Sequence, residues 1–142
     1  MTKRTTLVLV LTSVAGLIVA ACGRGSGPAA NEKVIKSTQV GNLTVTLSSS
    51  TGEVKSGEND LMLSFADASG KTVDVGAASL KFHMPAMGSM AEMNDVASLT
   101  TTNAAGKYRA KVNIEVDGTW EAIVSYEGLQ GTGQARITVQ AK

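Results

Sequence analysis

From Phe82 to Met93 the chain reads Phe-His-Met-Pro-Ala-Met-Gly-Ser-Met-Ala-Glu-Met. Met84, Met87, Met90 and Met93 recur at every third position, and His83, the single histidine of the chain, heads the run. Of the six methionines, only Met62 and the initiator Met1 lie elsewhere. Thioethers are soft, neutral ligands and select soft cations such as Cu(I), for which Ag(I) is a mimic. Three-residue spacing places side chains on one side of an extended left-handed helix or on one face of a single helical turn. Either shape lets Met84, Met87 and Met90 converge on one ion, with His83 or Met93 completing the set. Glu92 is a hard ligand and suits only Cu(II).

Two other uses of such a run are known to physical chemistry. Methionine is a flexible apolar filler, and a methionine-rich surface is also an adaptable docking patch for another protein. The pleat bears on His83 as well. In a regular strand Leu80, Phe82 and Met84 share one face while Lys81 and His83 share the other. Joint ligation by His83 and Met84 therefore requires a bend at Pro85.

The elements around the run must hold it. Pro85 has no N–H and should end the strand that carries Leu80 and Phe82. Gly88 and Ser89 favour a loop, and binding residues concentrate on loops carried by a rigid scaffold. From Val40 onward apolar residues alternate with polar ones, as in Leu43, Val45, Leu47 and in Tyr108, Ala110, Val112, Ile114. This period of two describes half-buried antiparallel strands. The expected strands cover 41–49, 59–67, 77–84, 96–102, 107–116, 119–127 and 131–141, with 71–75 as an eighth. Asp117-Gly118 predicts a hairpin joining 107–116 to 119–127. About seven short strands describe an all-β fold, a small two-sheet sandwich, and Trp120 belongs to its core. Gly128-Leu129-Gln130-Gly131-Thr132-Gly133 opens a strand, not a helix, so it is a turn and not a phosphate loop.

The N-terminus carries an address. Lys3 and Arg4 precede an apolar stretch, Leu7 to Ala21, too short for a comfortable membrane span and ending in small residues, as in a secretory signal peptide. Val19-Ala20-Ala21-Cys22 resembles a bacterial lipobox, which implies cleavage before Cys22, a diacylglyceryl thioether on its sulfur and acylation of its amine. The expected organisation is a lipoprotein signal peptide at 1–21, a flexible tether with lipidated Cys22 at 22–39, and one domain at 40–142. The tether composition, Gly23-Arg24-Gly25-Ser26-Gly27-Pro28, gives an average reach on the order of 20–25 Å. Cys22 is the only cysteine, so the domain has no disulfide. The chain has 13 Lys and Arg against 12 Asp and Glu; without Lys3 and Arg4 the balance is 11 to 12, a net charge of −1. Nothing in that balance points to nucleic acid.

The stretch Gly106-Lys107-Tyr108-Arg109-Ala110-Lys111-Val112 leading to Gly118-Thr119-Trp120 is similar to the hallmark of YtkA-like domains, which are related to FixH-like proteins. His83-Met84-Pro85-Ala86-Met87 resembles the Met-Pro-x-Met segment of the same group. The resemblance covers most of residues 40–141. It implies an immunoglobulin-like β-sandwich in the cell envelope, facing periplasm or exterior, linked to copper handling or to assembly of copper oxidases. FixH-type members carry a transmembrane anchor, whereas this chain carries the lipobox-like Cys22.

One histidine and no free thiol exclude most nucleophile–base arrangements, and no enzyme is expected. The function expected is a membrane-anchored envelope lipoprotein that binds Cu(I) through His83, Met84, Met87, Met90 and Met93, for copper sequestration or for delivery, with a copper donor or acceptor protein in the envelope as partner. The alternative is a metal-free module that docks on an envelope complex, an oxidase in assembly or an efflux adaptor.

Overall fold

The computed structural model describes residues 31–142. The signal peptide, Cys22 and the glycine-rich segment expected from the sequence lie outside the described residues. No helix among the described residues is long and apolar enough to cross a membrane.

Nine strands run in order: β1 Lys33–Val40, β2 Leu43–Ser49, β3 Gly57–Ala66, β4 Ala77–Met84, β5 Met93–Val96, β6 Ser98–Thr101, β7 Lys107–Ile114, β8 Gly118–Gly128 and β9 Gly131–Ala141. They form two antiparallel sheets, β1-β2-β3-β7-β6 and β5-β4-β8-β9. The alternating side chains meet between the sheets. Leu47, Leu63, Phe65, Leu80, Phe82, Trp120 and Ile137 are all buried there. The all-β sandwich expected from the period of two is the fold observed. Phe65 sits edge-on to both Tyr108 and Tyr126, at centroid distances of 5.8 and 5.5 Å, a favoured aromatic geometry.

Several expectations are corrected. The sheet starts at Lys33, not near Val40: residues assigned to a tether form β1 and pair with β2 from Lys33↔Ser49 to Val40↔Leu43. The alternation fails there because β1 is an edge strand whose register shifts between Val34 and Lys36. Residues 71–75 make only an isolated bridge, Ala66↔Thr72. The strand expected at 96–102 is split. β5 belongs to one sheet and β6 to the other, with buried Ala97 at the crossing. The expected hairpin at Asp117-Gly118 is instead a passage between sheets, since β7 and β8 lie in different ones. Alternation shows that a segment is a strand but not which strand it pairs with. Trp120 fastens this passage by donating its Nε1–H to the Val116 carbonyl at 3.0 Å.

The hallmark residues that carry the family resemblance are fasteners of this kind. Gly106 has φ +75°, and a Cβ on it would strike the backbone carbonyl of Val73. Tyr108 donates its hydroxyl to the Gly76 carbonyl at 3.0 Å. Gly118 leaves room for the Met84 methyl, 2.9 Å from where a Cβ would stand.

The two ends of the sandwich differ. One gathers the start of β1 at Lys33, opposite Ser49, and the meeting of Gly57 with Ile114. Gly118 and Ala141 pair there, and Val54 bridges to Ala141 from the other sheet. Met84 and Met93 are at this same end. The other end holds the turns Gly41–Asn42 and Leu129–Gln130 and the close approach of Gly106 to Val73.

Candidate metal centre

β4 and β5 are the two arms of one hairpin. The last rung of the sheet is Met84↔Met93. The ladder lapses at Pro85–Ala86 and Ala91–Glu92, where Pro85 brings no N–H. It resumes three residues further on each arm, as the isolated rung Met87↔Met90. That rung exchanges two backbone hydrogen bonds, Met87 N–H to Met90 O at 3.1 Å and Met90 N–H to Met87 O at 2.9 Å. Gly88 and Ser89 form the two-residue turn, with φ +58° at Gly88 and no positive φ at Ser89. Glycine at the first central position matches the type II′ turn, whose twist suits a hairpin.

The three-residue repeat is thus neither an extended helix nor a helical turn. It is two cross-strand pairs, placed symmetrically about a two-residue turn. Residues directly opposite in an antiparallel pair have Cβ atoms about 4.5–5.5 Å apart, so two long thioether chains on one rung can meet.

The expected ligands fall into separate environments. Met84 is 3% exposed and belongs to the core, its methyl over Gly118. Met93, its partner, is half-buried against the same core. Met87 and Met90 are 56% and 45% exposed at the tip. His83 points to the opposite face from Met84, as the pleat requires, and is separated from Met87 by Met84, Pro85 and Ala86. The structure brings together Met87 with Met90 and Met84 with Met93, but not His83 with Met84.

Asn94 is a residue that the sequence reading missed. It lies opposite His83, and its Oδ1 is 3.0 Å from His83 Nδ1. A carboxamide oxygen only accepts, so Nδ1–H is the donor of this contact. A hydrogen bond of this kind fixes the orientation of the imidazole ring. No sequence signal marked Asn94, because its role depends on the hairpin register.

The two donors at the tip, Met87 and Met90, are thioethers, soft and neutral. Among the described residues there is no group of three or more His, Cys, Asp and Glu that could hold a metal. Two thioethers on one rung are a donor set of the kind taken by soft ions of low coordination number. Close by, Asp95 occupies the position level with buried Phe82, and its Oδ2 is buried without a hydrogen-bond partner among the described residues. An inward carboxylate on an edge strand discourages pairing with another chain's edge.

No curated protein and no solved structure matches the chain. A family model described as YtkA-like matches residues 37–125, from within β1 to within β8 and more than half of the sequence. With the hallmark glycines, Tyr108 and Trp120 all fastening the sandwich inside that span, the chain belongs to the YtkA-like family.

Proposed function

We propose that this chain is an envelope lipoprotein, anchored through Cys22, that binds Cu(I) at the tip of the β4–β5 hairpin and sequesters it or passes it to a partner protein. The observation that carries this reading is the Met87–Met90 rung: two exposed thioethers held opposite each other by a pair of backbone hydrogen bonds and a fixed turn. Two neutral ligands leave the charge of the ion uncompensated and its coordination open. A donor atom of the partner completes the set; Met93 packs against the core one rung back, and His83 lies further back still. A site open on one side suits exchange better than storage.

The test is a titration of the protein with Cu(I) against a competing chelator, followed by mass spectrometry. The wild type should retain one Cu(I) and the Met87→Leu/Met90→Leu variant should not. Leucine keeps the apolar bulk but cannot ligate. Retention of full Cu(I) affinity by that variant would remove these two sulfurs from the site.

The second reading, a metal-free docking module, is favoured by the exposure of Val96 at 72% beside the hairpin, together with Met87 and Met90. Under it the leucine variant keeps its partner, whereas Met87→Ser/Met90→Ser loses it.

A further inference from the structure

We propose that the methionine hairpin is the membrane-facing end of the molecule and that its tip, residues 85–91, rests on the lipid surface. The proposal rests on the Cys22 anchor of the reading above and not on copper.

Topology supplies the first argument. The chain enters the sandwich at Lys33, at the end where Met84 and Met93 form the last rung and from which the hairpin projects. Ten residues lie between Cys22 and Lys33, which makes eleven steps along the chain. Whatever the conformation, eleven steps span at most about 36–40 Å. The longest strands, β8 and β9, have 11 residues each and span about 33–34 Å, close to the limit of that reach. To turn the opposite end to the membrane, the connecting segment would have to run back along the whole domain almost fully stretched. A chain held that way loses nearly all its conformational entropy. The entry end therefore faces the anchor.

The second argument is the chemistry of the two ends. Pro85-Ala86-Met87-Gly88-Ser89-Met90-Ala91 carries no charge, and every residue of it is exposed. Charged residues ring both ends, Glu53, Lys55 and Lys142 at the entry end and Asp67, Lys71, Asp74, Lys107 and Glu127 at the other. The far turn is itself uncharged and exposes Leu129, so the uncharged hairpin tip counts together with the topology above and not alone. An uncharged loop tipped by two flexible thioether chains suits the boundary between headgroups and acyl chains, where buried methylenes are stabilising. Glu92, the first charge after the tip, limits the depth to the tip itself.

The test uses the full, acylated chain in vesicles of pure lipid. An environment-sensitive fluorophore is placed at S89C, at the hairpin turn, or at Q130C, in the far turn; the diacylglyceryl thioether leaves the Cys22 sulfur unavailable to the label. Spin-labelled lipid should quench the probe at residue 89 several-fold more than the probe at residue 130. Met87→Ser/Met90→Ser should reduce that difference while the protein still floats with the vesicles. Equal quenching of the two probes on floated protein overturns this proposal and leaves the anchor standing. Failure to float, with Cys22 unmodified, overturns both. A disulfide between two S89C chains, or shielding of residue 89 only when a membrane protein is added, assigns the tip to a second copy or a protein partner and overturns the lipid assignment.

Discussion

Cross-strand pairing sorts the methionines by burial, and residues three apart come to serve different ends. Met84 is core, while Met87 and Met90 are surface. Met84→Ala should destabilise the domain by about 2–5 kcal/mol, the cost of a cavity at a packed site. Met87→Leu/Met90→Leu should change stability by no more than about 0.5 kcal/mol. Urea unfolding of the two variants checks both figures, and a small loss for Met84→Ala would contradict its place in the core. Tyr108 gives a second residue-scale prediction. Burial, and then the nearby Asp74 charge, raise its pKa above the ordinary 10.0. The unfolded chain loses that proton first, so the stability linked to Tyr108 is complete below pH 10 and declines as pH rises beyond it. Tyr108→Phe should flatten the decline above about pH 10, and should also cost stability at pH 7 by removing the bond to Gly76. Residue types alone marked the methionines as the chemical feature of the chain. Their sorting into core and tip was not legible, because it depends on where the chain turns.

At the scale of the element, the hairpin depends on Gly88. Its φ of +58° strains any residue with a Cβ, yet nothing lies within 4 Å of where that Cβ would stand. Gly88→Val should therefore cost about 1–2 kcal/mol in backbone strain without steric clash, and the cost should be local. Amide exchange at Met87 and Met90 should accelerate about tenfold or more, while protection in β8 stays unchanged and Cu(I) binding weakens. Unchanged exchange at the tip would mean that Gly88 is not what sets the rung. The sequence showed Pro85 ending the strand and Gly88-Ser89 making a turn. It did not show a hairpin, since an even three-residue repeat is also symmetric about a central turn and nothing local distinguishes the two. Asp117-Gly118 misled for a related reason. Turn chemistry fixes the local backbone, whereas the choice between hairpin and sheet crossing rests on distant partners such as Ala141 for Gly118.

For the molecule as a whole, stability comes from the apolar layer between the sheets. The domain has no disulfide, and the ion pairs Arg109–Asp60, Arg136–Glu121 and Lys142–Glu53 are largely exposed. Exposed pairs contribute about 0–1 kcal/mol each and are screened by salt. Thermal unfolding should therefore respond little to reductant or to moderate salt; a marked drop with either would point to a stabilising contact outside this account. Fold class was legible in the chain because every long strand alternates. β1 was not, because an edge strand with a register shift buries few of its side chains. The Val54–Ala141 bridge has one more consequence, for rewiring the chain. It brings Lys142 to the end where Lys33 enters, since Lys142 N–H bonds the Val54 carbonyl and Ser56 N–H bonds the Lys142 carbonyl. A short loop could join the two termini of the sandwich, and the chain could be reopened between Leu129 and Gln130, in an exposed turn. Such a circular permutant keeps every strand pairing but begins at the far end of the sandwich. With the same anchor grafted there, it would hang upside down, holding the methionines out toward the soluble compartment.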